Sequence, residues 1–284
     1  MVDSTASTPK TVLADTILVL VHSNLLISLA ATSVALSTML LASLPVEPVP
    51  LFIVFAVTLF VYSFNKLADI AEDRENVPGR AAFVSQYGTE LFAVGTILYL
   101  LATLLAIREG IPGAPAMVIP LLVAVLYSVV GLKRILLVKN LLVGLSWGLI
   151  VLGVGVYYGQ LYSFDILFFF TFVTAALTIA AVVFDIKDIE GDRAEGVRTV
   201  PIVVGTGRTR QLAAGACLVL GGVVAGFLLG GVLTVQYIAL LPYVGYMIGY
   251  SLVADRDRSP IFYGFIIDGE HIFLAAMLVA FELL

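Results

Sequence analysis

Residues 164–192 read FDILFFFTFVTAALTIAAVVFDIKDIEGD. From Phe164 to Phe184 the only charged residue is Asp165, and then Asp185, Asp188, Glu190 and Asp192 follow within eight positions, together with Lys187. A continuous apolar run of this length reaches across the ~30 Å hydrocarbon core of a bilayer when helical. It lacks the period-two alternation of a barrel strand. The stretch therefore predicts a membrane-spanning helix that ends in a row of carboxylates at the membrane surface.

Working outward, similar runs lie near 15–43, 51–68, 91–107, 115–132, 140–158, 211–229, 232–253 and 262–283, which with 164–186 makes nine expected spans. The composition agrees. Of 284 residues, 61% are hydrophobic and only 12% charged, and the mean hydropathy is +1.09. A soluble domain of this size cannot bury so much apolar surface in one core, and disordered chains are polar and charge-rich. The expected fold class is all-α, a polytopic membrane helical bundle forming one domain over 1–284. Residues 1–14 read as a polar tail, with motif segments at 65–90 and 185–210. The expected location is the cell membrane, multi-pass. The lone thiol, Cys217, lies in an apolar run and is expected to be a small buried hydrophobe.

The basic residues fix an orientation. With the N-terminus in the cytoplasm, fourteen of the fifteen Lys and Arg residues fall on cytoplasmic connections, and only Arg108 falls outside. That bias is the positive-inside pattern, and it places the C-terminus outside.

Two cytoplasmic segments stand apart, Asn65-Lys66-Leu67-Ala68-Asp69-Ile70-Ala71-Glu72-Asp73 and Asp185 to Asp192. If the helix before the first continues, Asn65, Asp69 and Asp73 form one stripe about 80° wide, and on a helix Asp185, Asp188 and Asp192 fall within about 60° of one another. Carboxylates crowded in this way repel and raise one another's pKa values. A divalent cation relieves the repulsion, and an all-oxygen ligand set favours Mg²⁺, which commonly shares its remaining positions with phosphate oxygens. A solvated acidic loop is the plain alternative for either segment alone; two with matching spacing on the same face argue against it.

These residues resemble the UbiA superfamily of intramembrane prenyltransferases, which have nine helices and two aspartate-rich motifs. Asn65, Asp69 and Asp73 match the first motif, NDxxDxxxD, with Lys66 where many members carry Asp. Asn76-Val77-Pro78-Gly79-Arg80 resembles the downstream NxPxR element. The second match is fuller: Asp185, Lys187, Asp188, Gly191, Asp192, Gly196, Thr199 and Pro201 follow the pattern DxKDxxGDxxxGxxTxP. Between them, Tyr127-Ser128, Leu132-Lys133-Arg134, Asn140 and Gly144 resemble a further family stretch. Detailed resemblance covers about 62–207.

The resemblance implies prenyl transfer from an allylic isoprenyl diphosphate to a lipophilic acceptor through a carbocation-like intermediate, with Mg²⁺ as cofactor and membrane lipids as surroundings. No nucleic-acid partner is expected. Asn65, Asp69, Asp73, Asp185, Asp188 and Asp192 are the expected metal and diphosphate platform. Lys133 and Lys187 are the first choices to grip the phosphates, with Arg80 and Arg198 next. Tyr127 and Asn140 are expected to contact substrate. Inside the bundle, His22, Asn24, Asp268 and His271 are candidates for the acceptor end, since intramembrane ionisable groups usually face a cavity or a partner. Many members carry Arg-Pro near the start of the first helix; here Val21-His22-Ser23 stands there, which favours a neutral acceptor such as a carotenoid. A digeranylgeranylglyceryl phosphate-type ether lipid or a quinone precursor is the enzyme alternative. A cation-coupled transporter is the alternative of another class, but it predicts acids at the bilayer midplane and inverted repeats.

Overall fold

The computed structural model describes residues 9–68, 70, 78–119, 122, 136–194 and 196–283. The described residues are helices, turns and loops, with no strand. In chain order the helices are α1 (Pro9–His22), α2 (Leu25–Leu41), α3 (Pro48–Ala68), α4 (Pro78–Arg108), α5 (Val138–Tyr157), α6 (Phe164–Phe184), α7 (Ile189–Ala194), α8 (Val200–Val204), α9 (Thr206–Leu229), α10 (Leu240–Val253) and α11 (Glu270–Glu282). A 3₁₀ turn, Val235–Ala239, runs directly into α10, and a π-helical turn, Phe262–Ile267, precedes α11.

Six helical stretches among the described residues are long and apolar enough to cross a membrane, or seven if a bent pair is counted as one span. That pair is the first expected span. Residues 15–43 do not form one helix: Val12–His22 and Leu25–Leu41 meet at 69°. The break is chemical. Asn24 adopts the left-handed conformation (φ 65°), which Asn tolerates better than most residues. The Lys66 ammonium donates to the carbonyls of Val21 (3.0 Å) and His22 (3.1 Å), groups left open where α1 stops. His22 therefore sits at the break instead of two turns inside a straight helix. Most of the expected span 115–132 lies outside the described residues.

Among the described helices α5 and α6 pack most closely, because glycines remove side chains from one face of the contact. A Cβ on Gly144 would collide with Thr178 and with the Thr174 carbonyl, and one on Gly148 would meet the Thr174 hydroxyl and the Phe170 ring at 2.8 Å. Small residues four apart let helix backbones approach in a membrane. α2 lies against α3, α5 and α11, while α9 bridges α6 and α10. The largest buried side chains, among them Phe169, Phe172, Tyr237, Tyr243 and Met247, meet in the middle of this arrangement, and Cys217 is buried among them.

The outer surface is that of a lipid-facing protein. α4 exposes Ile97, Leu100, Leu104 and Ile107 along one side, a patch a soluble monomer rarely carries. Several hydroxyls are satisfied within their own helices: Thr32, Ser33, Thr96, Thr103 and Thr171 each donate to the carbonyl four residues back. This removes unpaired donors from a solvent that accepts none.

Candidate active site

The second acidic motif begins where α6 stops. Asp185 is the C-terminal cap of α6, a turn carries the chain to Asp188, and α7 then runs from Ile189 to Ala194. The helical stripe expected for Asp185, Asp188 and Asp192 is thus not what gathers them. The turn does so, closed by the Asp192 amide donating to the Asp188 carbonyl (2.8 Å) and the Val197 amide donating to the Asp192 carbonyl (2.8 Å). Gly196, with φ 71°, ends the segment in a conformation few other residues adopt.

The start of α5 faces this turn. Lys139 Nζ lies 2.9 Å from Asp185 Oδ1 and 3.4 Å from Asp192 Oδ2, and Asn140 Nδ2 donates to Asp185 Oδ2 at 2.9 Å. Asp185 is 3% exposed and Asn140 1%. Burial pushes the Asp185 carboxyl above its usual range, and Lys139 pulls it back down. Asp192 is pushed up to about 6, first by burial and then by the charges of Asp185 and Asp188, with Lys139 opposing. In the sequence Lys139 is marked only as one of the fourteen basic residues on the cytoplasmic side; its two ion pairs span 46 and 53 residues, beyond the reach of any local pattern.

Asp188 is more open and pairs with Lys187 at 3.4 Å. The Lys187 ammonium also lies over the rings of Phe184 (5.4 Å) and Tyr263 (5.9 Å), a cation–π arrangement. Arg80 stands partly buried in the first turn of α4, and Arg198 is exposed beyond α7. Asn65 is partly buried near the end of α3. Asp69, Asp73, Tyr127 and Lys133 lie outside the described residues.

The donor chemistry fits Mg²⁺. The side chains offered are carboxylates and one amide, hard oxygen ligands in excess of nearby positive charge. Among the described residues no three acidic, His or Cys side chains close on a single point, so the second motif supplies part of a ligand set and not a finished cage. Its mutual repulsion is the condition a divalent cation relieves.

The expected acceptor-end residues divide between two places. His22 and Asn24 line a small cavity with Ser63, Lys66, Val84, Gly88 and Leu91. There Asn24 Nδ2 contacts Ser63 Oγ at 3.2 Å, while Asn24 Oδ1 is buried with no partner among the described residues. His271 lies deeper, its ring stacked between Trp147 (5.5 Å) and Tyr243 (5.4 Å) and its Nδ1 without a partner among the described residues. Its neighbour Glu270 accepts from Tyr250 at 2.6 Å. Trp147 in turn donates to Tyr62 at 3.3 Å. Asp268 is partly buried between the π-helical turn and α11.

The model of the UbiA prenyltransferase family matches residues 25–275. Digeranylgeranylglyceryl phosphate synthases of Natronomonas pharaonis and Methanothermobacter thermautotrophicus are 37% and 33% identical to the chain over 147 residues, 51% of its length. The match spans about half the length of these curated relatives, 49% and 50%. Among solved structures, the apo form of a UbiA homologue from Aeropyrum pernix K1 superposes with a TM-score of 0.66 at 17% identity, covering 90% of this chain and 98% of that one. A UbiA homologue from Archaeoglobus fulgidus bound to GPP and Mg²⁺ gives 0.66 at 14% identity, covering 93% and 97%. At these identities the structural likeness shows a shared fold.

Proposed function

Since the chain belongs to the UbiA prenyltransferase family, we propose that it is a Mg²⁺-dependent enzyme transferring a prenyl group from an allylic isoprenyl diphosphate to a lipophilic acceptor. The observation that carries the proposal is the second motif, with Lys139 bridging Asp185 and Asp192 and Asn140 holding Asp185 where α5 meets the end of α6. Asn65, Asp69 and Asp73 supply the remaining oxygens from the α3 side. Bound Mg²⁺ would neutralise diphosphate and make it a leaving group.

The chain's own side chains do the rest. Asn140 holds one Asp185 oxygen and so fixes the carboxylate plane. Lys187, with Lys133, Arg80 and Arg198, binds phosphate oxygens, and Tyr127 contacts the donor. The aromatic interior excludes water from the cation left when the C–O bond breaks. His22 and Asn24, beside Ser63, and His271, between Trp147 and Tyr243, would meet the acceptor at two separate points, Asn24 and His271 each offering a buried atom with no hydrogen-bond partner among the described residues.

The acceptor is proposed to be a glyceryl ether lipid, supported by the names of the two curated relatives. A carotenoid is the second reading, favoured by Val21-His22-Ser23, which offers no guanidinium to an acceptor carboxylate. The proposed topology has nine crossings, with the N-terminus in the cytoplasm and both acidic motifs at the cytoplasmic face of the cell membrane.

Purified protein, Mg²⁺ and labelled geranylgeranyl diphosphate are incubated with geranylgeranylglyceryl phosphate or a linear carotenoid, and products are identified by mass spectrometry. Transfer to the ether lipid is expected. Transfer to the carotenoid alone exchanges the two acceptors, and no diphosphate release with either removes the enzyme reading. Asp69→Ala and Asp188→Ala are each expected to abolish turnover; full activity in both overturns the platform.

A further inference from the structure

Lys187 is seated between two rings. Its ammonium lies 5.4 Å from the centroid of Phe184 and 5.9 Å from that of Tyr263, both within the range of cation–π attraction. The two rings meet each other edge to face, 5.4 Å apart and inclined at 61°. Phe184 is the last residue of α6, one position before the second motif. Tyr263 comes from the π-helical turn before α11, a segment that carries neither acidic motif.

Tyr263 is pinned in place. It is buried, and its hydroxyl donates to the Asp255 carbonyl at 2.9 Å. Asp255 is itself paired with Arg210 in α9. The Tyr263 carbonyl accepts from the Asp268 amide five residues on at 3.2 Å, closing the π-helical turn. Such turns are uncommon and cluster at functional sites. The next residue, Gly264, packs so closely on Val21 that a Cβ there would collide with the valine side chain.

A ring holds an ammonium differently from a carboxylate. Asp188 also lies 3.4 Å from Lys187, but a carboxylate offsets the charge that a phosphate would meet, and Asp188 is itself a proposed Mg²⁺ ligand. An aromatic face attracts the cation through its quadrupole and leaves the charge whole. It also restricts a long side chain that is otherwise free to sample many rotamers.

We propose that Tyr263, with Phe184, is a positioning residue for the donor: the two rings fix the Lys187 ammonium beside the second motif, so that an isoprenyl diphosphate meets a cation already in place. The proposal rests on the assignment of Lys187 to phosphate and extends the donor site to the last span.

Two measurements test it. In metal-free protein whose lysines carry ¹³C-methyl groups by reductive methylation, the Lys187 resonance is assigned by its loss in Lys187→Met. It is expected upfield of the other lysines, because it lies over ring faces. Tyr263→Leu is expected to move it downfield, and Tyr263→Phe to leave it in place. Binding of geranylgeranyl thiodiphosphate with Mg²⁺ to the detergent-purified protein is expected to weaken about fivefold in Tyr263→Leu, the size of a partly desolvated cation–π contact. Tyr263→Phe is expected to bind within about twofold of wild type, and Tyr263→Leu to add little to the loss in Lys187→Met. The KM for the acceptor is expected to change by less than about twofold. An unshifted Lys187 resonance, full additivity of Tyr263→Leu and Lys187→Met, or equal loss of donor binding in Tyr263→Phe and Tyr263→Leu overturns the assignment. A wild type with the upfield resonance that does not bind the analogue counts against the donor reading and not against the ring contact. If Tyr263→Leu does not fold, Phe184→Leu removes the other ring and carries both measurements.

Discussion

Lys139 decides the electrostatics of the second motif. It lies between two carboxylates that would otherwise face each other across a poorly solvated pocket. Removing one partner from such an arrangement leaves buried charge uncompensated, a loss of about 3 kcal/mol or more. Lys139→Met is therefore expected to lower the thermal unfolding midpoint clearly. Mg²⁺ is expected to raise that midpoint more in the variant than in the wild type, because the added cation takes over the lost compensation. Equal Mg²⁺ shifts in the two proteins count against this account. Asn140→Leu removes the hydrogen bond to a buried carboxylate, costing about 1–3 kcal/mol; calorimetry of the purified variant checks it. The acids were legible in the sequence because their spacing is local and their type is rare in an apolar chain. Lys139 was not, since nothing near it marks its partners.

Among the elements, α5 and α6 show how a helix pair can be locked by what it lacks. Gly144 and Gly148 admit no methyl group without displacing Thr174 or Thr178. Gly148→Leu is expected to destabilise by at least the 1–3 kcal/mol typical of overpacking and to reduce the yield of monodisperse protein in size-exclusion chromatography. Gly222→Ala in α9 is the counterpart: open space surrounds it, so higher helix propensity is expected to leave stability unchanged or raise it by up to ~1 kcal/mol. Wild-type behaviour of Gly148→Leu sinks the packing argument. Hydropathy placed α3, α5 and α6 to within three residues at each end, since apolar length is set by the bilayer, but it began the third span near 91 where α4 starts at Pro78, and the eighth near 232 where α10 starts at Leu240. It missed the break at Asn24, because hydropathy averages over His22-Ser23-Asn24 and there is no proline to mark the bend. It also missed the stop at Asp185: a turn and a helix carry the same residues there. The π-helical turn leaves no periodic trace in a run as uniformly apolar as Phe262–Ile267.

At the scale of the molecule, the distribution of basic residues makes a topological statement that accessibility measures. In a Cys217→Ala background, Tyr162→Cys and Arg256→Cys each place one thiol at an exposed position on opposite proposed sides. A membrane-impermeant maleimide is expected to label Tyr162→Cys in intact cells and Arg256→Cys only after permeabilisation. The reverse pattern inverts the orientation, and labelling of both in intact cells removes the proposed single orientation.

The α5–α6 seam has a further meaning for traffic. If the proposed function holds, an isoprenyl chain arrives from the bilayer and its product returns there, and the bundle has to part somewhere along its flank. At Gly144 and Gly148 the opposing Thr174, Thr178 and Phe170 lie directly against α5, with no room for even a Cβ between the helices. On that reading the tightly packed α5–α6 wall, which carries Lys139, Asn140 and Asp185, is the flank expected to stay closed, so that these three residues keep their mutual distances while a different flank opens.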